Sequence, residues 1–246
     1  VEQGASAAAT PREAARGAEV VIAMVRDDEA SRFVWTDPDQ GALLGMQAGA
    51  IALEASTVTP TWIHTLAERA HTVDVHLLDA PVLGSRPQAE AGALISLVGG
   101  PAETVERVRG VLLAFASAIH HVGPIGTGAR AKLAVNGLFA VQVAALAELF
   151  ASLPRATAVE LLGALPVTSP AIKAVAGLIA AGNYAPQFPI ELVAKDLGYL
   201  ITDAAQLGRR TPMAEAARAV YEHAIAVGFA ADNIAGVAQL YFSATT

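Results

Sequence analysis

Only three of the 16 basic residues are lysines, Lys132, Lys173 and Lys195. Arginine serves wherever a plain surface cation will do, so a retained lysine is a candidate for chemistry. Asn136 follows Lys132 by four residues and shares its helical face, where an ammonium and an amide can meet one substrate oxygen. A lysine exchanges protons near neutral pH when burial lowers its pKa, and the apolar stretch around Lys132 offers that setting. Leu83, Gly84 and Ser85 form a second candidate. Glycine lets backbone N–H groups approach an anion closely, and the serine adds a hydroxyl. Ser56 and Thr57 fall at the carboxyl end of an expected parallel strand, where open α/β sheets bind ligands, and Met24 and Val25 occupy that end of the preceding strand.

Other chemistries are excluded or unsupported. The chain of 246 residues has no cysteine, which removes disulfides, thiolate catalysis and cysteine-ligated metals. His120 and His121 lie on an expected strand and face opposite ways, and the remaining histidines lack zinc-binding spacing. A net charge of −7 without a basic cluster predicts no nucleic-acid partner. With 54% hydrophobic and 16% charged residues the chain is a packed protein. The apolar run over 133–153 is long enough to span a membrane, yet it contains Asn136, Gln142 and Glu148 and is expected to be a helix buried in protein. The first twenty residues lack the basic-then-apolar pattern of a signal peptide, and a cytosolic protein is expected.

The elements that must position these residues come in two styles. Short apolar runs predict strands over 20–25, 50–54, 75–80, 94–98 and 118–122, alternating with helices over 27–34, over 60–70 and from residue 102, the pattern of a parallel βαβ sheet. Thr59 is the expected cap of the second helix, with Pro60 at its first position. Beyond residue 128 only helical periodicity is found. The expected division is therefore a dinucleotide-binding domain over 1–128 and an all-helical domain over 129–246. No G-x-G-x-x-G is present. Gly123, Gly126 and Gly128 have the wrong spacing for a phosphate cradle and are expected to form a hinge turn.

Four collinear segments resemble the β-hydroxyacid dehydrogenase family, which includes 3-hydroxyisobutyrate dehydrogenase and the glyoxylate/succinic semialdehyde reductases. These are residues 54–60 (EASTVTP), residues 79–85 (DAPVLGS) continuing to Gly100, Gly126-x-Gly128-x3-Lys132-x3-Asn136, and Phe188-Pro-Ile-x4-Lys195-Asp196. The resemblance implies a doubly wound, Rossmann-like α/β domain, incomplete at its start, followed by a 6-phosphogluconate dehydrogenase-like all-α domain. It implies an oxidoreductase using NAD or NADP on a small hydroxy acid and its aldehyde or keto form. In that scheme Lys132 is the general acid/base, assisted by Asn136. Leu83, Gly84, Ser85 and Phe188 bind substrate, and Met24, Val25, Ser56, Thr57 and Lys195 line the cofactor. Asp232 matches a late family position, or else caps a helix before Ile234. Residues 1–25 resemble the part that follows the family's first strand, glycine turn and second strand, so a preceding segment is expected in the working protein. A homodimer or larger oligomer is expected, built on the long helix from Lys132. Two alternatives remain: a relative of the imine reductases, which commonly replace the lysine, and a non-catalytic, cofactor-free oligomerisation module.

Overall fold

Short, unbroken apolar runs suit strands buried on both faces, and the central strands of the first half of the chain follow that rule. In the computed structural model, which describes residues 4–242, helix α1 (Pro11–Ala15) leads into β1 (Val20–Ala23), α2 (Asp28–Thr36), β2 (Ile51–Glu54), α3 (Pro60–His71) and β3 (His76–Asp79). There follow β4 (Val82–Leu83), α4 (Arg86–Glu90), β5 (Leu94–Gly99), α5 (Ala102–Leu113) and β6 (Ala116–Gly123). β1, β2 and β3 are parallel neighbours, with Ile22 beside Leu53 and Leu53 beside Leu78. Alternate strand residues feed two cores. Ala52 and Leu77 join Trp35, Trp62, Ile63 and Leu66 on one face, while Ile51, Leu53 and Leu78 join Val105, Val108 and Leu112 on the other. Each large side chain fully buried in this way contributes about 1.5–3 kcal/mol.

The caps follow the local sequence. The Asp27 carboxylate accepts the Ala30 N–H at 2.9 Å to start α2, and the Thr59 hydroxyl accepts the Trp62 N–H at 3.1 Å to start α3. The wholly parallel sheet is corrected at one point: β5 is parallel to β6 but antiparallel to both β3 and β4. The connection from β3 to β5 holds only β4 and a five-residue helix, too little for the helical crossover that returns a chain in parallel. Val82 therefore pairs with Ser96 as the chain doubles back.

Among the described residues only helices and one 3-10 turn follow: α6 (Thr127–Ala151), α7 (Arg155–Ala164), α8 (Pro170–Ala181), α9 (Ile190–Gln206), α10 (Pro212–Ala226), the 3-10 turn Ile234–Ala238 and α11 (Gln239–Phe242). The chain forms two units, Val1–Lys132 and Leu133–Thr246, and the boundary falls within α6. In the second unit Val143, Ala147 and Phe150 of α6 pack with Ile172 and Ile179 of α8, Val193 and Leu197 of α9, and Tyr221 of α10. The buried Tyr221 hydroxyl donates to the Ala140 carbonyl at 2.8 Å. α6 is long and apolar enough to cross a membrane, and one side of it packs in the helical core: Val143 and Phe150 are fully buried while Leu138 is 63% exposed.

The first turn of α6 lies against the sheet with no side chain between. A Cβ on Gly128 would stand 2.6 Å from the Asp79 carbonyl oxygen and 2.7 Å from that of Leu97. Gly128→Ala should therefore destabilise the protein by about 1–3 kcal/mol, a fall in Tm of roughly 2–12 °C by calorimetry. An unchanged Tm would show that the helix start has room the structure denies it.

Candidate functional site

In the first unit the predicted cofactor residues rest on a buried polar network. Glu54, the last residue of β2, is fully buried. Its carboxylate accepts from the Ser31 hydroxyl, from the Trp35 indole N–H at 2.8 Å and from the Ser56 N–H at 2.8 Å. The Trp62 indole N–H donates in turn to the Ser31 oxygen at 2.7 Å. A buried carboxylate is tolerable only with such a full set of donors. Ser56 then accepts the Val25 N–H at 2.7 Å, tying the ends of β1 and β2 together. The Thr59 N–H and hydroxyl both donate to Asp28, at 2.8 and 2.6 Å. The structure thus brings Val25 and Ser56 into contact, with Thr57 half-buried beside them and Met24 58% exposed at the rim. Glu54 was absent from the sequence candidates. Its signal was an acid closing an otherwise apolar strand.

A second strand-terminal acid, Asp79 of β3, stands beside Glu54 in register and is also fully buried. Its Oδ1 accepts the Gly126 N–H at 2.8 Å and its Oδ2 the Ala129 N–H at 2.7 Å. The glycine cluster is therefore neither a free hinge nor a phosphate cradle. Its donors are committed to an internal carboxylate. Lys132 follows Ala129 by three residues and is half-buried.

The loop after β4 carries Leu83, half-buried, and Gly84, whose φ of +115° suits glycine. A Cβ on Gly84 would stand 2.8 Å from the Leu94 side chain. The Ser85 N–H donates to Gln88 Oε1 at 2.9 Å, and the Ser85 hydroxyl lies 3.2 Å from the same oxygen. An amide oxygen thus occupies the donors expected to hold a carboxylate. Arg86 is exposed and pairs with Glu90 at 2.7 Å.

In the second unit Asp196 of α9 joins two predicted residues. Its Oδ2 accepts from the Asn136 amide at 2.6 Å, and Lys195 Nζ stands 3.0 Å from its Oδ1. Asp196 is 3% exposed. The lysine is mostly buried and lies 4.8 Å from the Tyr199 ring centre. Gly137, next to Asn136, gives the Leu200 side chain room to reach the α6 backbone. Phe188 packs against the helical core, and its N–H donates to Asn233 Oδ1 at 3.1 Å. Asp232 caps no helix: its carboxylate accepts from Gln239 Nε2 at 2.7 Å.

The ends of β1 and β2, with the exposed Met24 and the hydroxyls of Ser56 and Thr57, offer an apolar rim edged by polar groups that fits a nicotinamide ring. The Gly126 turn does not fit a pyrophosphate, since its N–H groups already serve Asp79. The comparisons with known proteins agree with a cofactor-binding reading. Residues 1–123 match the NAD binding domain of 6-phosphogluconate dehydrogenase, and residues 126–241 the NAD-binding region of NADP-dependent 3-hydroxyisobutyrate dehydrogenase. The chain is 34% identical to an NAD-dependent L-serine dehydrogenase of Pseudomonas aeruginosa, over 98% of its own length and 85% of the relative's. A Mycobacterium tuberculosis 3-hydroxyisobutyrate dehydrogenase with L-serine superposes with a TM-score of 0.83 at 28% identity, covering 95% and 82% of the two chains. An imine reductase from Myxococcus stipitatus in complex with NADP+, at 17% identity and a TM-score of 0.56 over 96% and 84%, shares the fold alone.

The fold and matches define an NAD(P)-dependent oxidoreductase, and the reading as a cofactor-free module is set aside. The chain belongs to the β-hydroxyacid dehydrogenase family, whose Rossmann-like domain and 6-phosphogluconate dehydrogenase-like helical domain it carries.

Burial, the largest influence on Asp79, pushes its carboxyl up from 3.8 to about 6, against the opposing pull of the Ala129, Gly126 and Gly128 N–H groups. The folded protein holds that proton more tightly than the unfolded chain does. Asp79 therefore contributes stability that is fully present below pH 3.8 and is lost as pH rises through about 6. Relative to Asp79→Asn, the unfolding free energy should fall by about 2–3 kcal/mol from about pH 4 to about pH 7, measured by urea denaturation of both proteins. A difference that stays flat with pH would contradict the assignment.

Proposed function

We propose that the chain oxidises a small 3-hydroxy acid of the size of L-serine or 3-hydroxyisobutyrate, and reduces the matching semialdehyde, with Lys132 as general acid/base. Support for the substrate class comes from the L-serine dehydrogenase relative and from the 3-hydroxyisobutyrate dehydrogenase structure with L-serine. The observation that carries the role of Lys132 is its place: half-buried, one turn beyond a helix start pinned to the sheet by Asp79. When bound, NAD or NADP supplies the two-electron acceptor or donor.

The remaining roles belong to the protein's own groups. Lys132 removes the hydroxyl proton as the alcohol is oxidised and returns it to the carbonyl oxygen in reduction. Asn136, held by Asp196, orients the reacting oxygen. Gly84 and Ser85 take the substrate carboxylate once the Gln88 amide moves aside, with Leu83 and Phe188 as apolar walls. Met24, Val25, Ser56, Thr57 and Lys195 line the cofactor. The exposed apolar residues Val135, Leu138 and Leu149 of α6 and Leu161 of α7 support a homodimer or larger assembly, which sedimentation analysis would reveal. The protein works in the cytosol, without nucleic acid or membrane as partner.

Lys132→Ala should lower kcat by about 10²–10⁴-fold while leaving NADH and NADPH affinity, read by fluorescence titration, within about twofold. Turnover retained at the wild-type level would place the proton donor elsewhere.

A further inference from the structure

The Asp79 carboxylate is matched to its surroundings in a way that a neutral group is not. Two backbone N–H groups, those of Gly126 and Ala129, converge on its two oxygens at 2.8 and 2.7 Å. An asparagine or a protonated acid offers only one free acceptor oxygen to that pair. The chain also makes room for this side chain. Asp79 is the register partner of Gly99, and a Cβ on Gly99 would collide with the carboxylate, while one on Gly128 would stand 2.9 Å from Oδ2. A Cβ on Gly126 would stand 2.8 Å from the His64 ring. Two positions without side chains therefore face the acid, and the turn that carries Gly126 and Gly128 precedes Lys132.

The fold gains nothing from the charge itself, because burial favours the neutral form of Asp79. A buried acid that burial resists charging, bonded to the turn that leads into Lys132, is a candidate for a role in the reaction.

We propose that Asp79 is a positioning residue for the reaction: its carboxylate clamps the first turn of α6 from both oxygens and so fixes where the helix presents Lys132. The inference rests on the reading of Lys132 as general acid/base. It makes Asp79 a determinant of kcat and not of cofactor binding, since its carboxylate bonds the helix start and not Val25, Ser56 or Thr57.

The test is a double-mutant cycle of wild type, Asp79→Asn, Lys132→Ala and the double variant, with L-serine and 3-hydroxyisobutyrate as substrates and Tm recorded for each. Asp79→Asn is expected to fold with a cooperative transition, to lose at least about tenfold in kcat, and to keep its KM for NAD or NADP within about twofold. The double variant is expected to be no slower than Lys132→Ala alone, because both changes act through one group. A kcat within twofold of wild type in Asp79→Asn, a fully additive double variant, or an Asp79→Asn protein that does not fold would each overturn the proposal. Failure of the Lys132 reading is seen separately, as retained turnover in Lys132→Ala.

Discussion

The first N–H groups of an α-helix have no partners within the helix, and what they are given decides where the helix can begin. In this protein the acceptor is a carboxylate at the end of a strand. Asp79 takes the Gly126 and Ala129 N–H groups and brings the start of α6 down onto β3 and β5 with only glycine between. The positive end of the helix dipole offsets part, and not all, of what burying a negative charge there costs. The register of α6 follows from this contact, and with it the place of Lys132.

Glu54 does similar work one strand away. The two acids are register partners, on the sheet face that also carries Ala52 and Leu77, and neither is left to water. Glu54 gathers Ser31, Trp35 and Ser56, which fixes α2 against β2 and sets Ser56 under Val25. Asp196 is the counterpart in the helical unit, holding Asn136 and Lys195. Ser56, Asn136 and Lys195 are thus each backed by a buried acid, the kind of supporting shell that holds a site within tight tolerances.

Much of the fold could be read from residue patterns. Strands with both faces buried announce themselves as unbroken apolar runs, and Asp27, Thr59 and Pro60 mark helix starts through chemistry that is local to the chain. The reversed direction of β5 could not be read that way, because it depends on how little chain separates β3 from β5. The site divides along the same line. Lys132 stood out through its rarity and its spacing from Asn136, and Ser56 through its place after a strand. Glu54, Asp79 and Asp196 fall within the family-like segments, but their roles were not legible, since what singles them out is burial among donors that come largely from distant segments. The glycine triplet shows the same limit. Its spacing argued against a phosphate cradle, but only the structure reveals that Gly126 gives its N–H to a buried acid and that Gly128 packs against that acid.

The central claim, that a carboxylate holds the first turn of α6, is tested most directly by amide hydrogen exchange of the unmodified protein. Helix-start N–H groups without acceptors exchange rapidly, whereas those bonded to a buried carboxylate open only with the structure around them. The Gly126 and Ala129 amides are predicted to be protected to the level of the α6 interior. Exchange at the rate of an unstructured peptide at both positions would contradict the account.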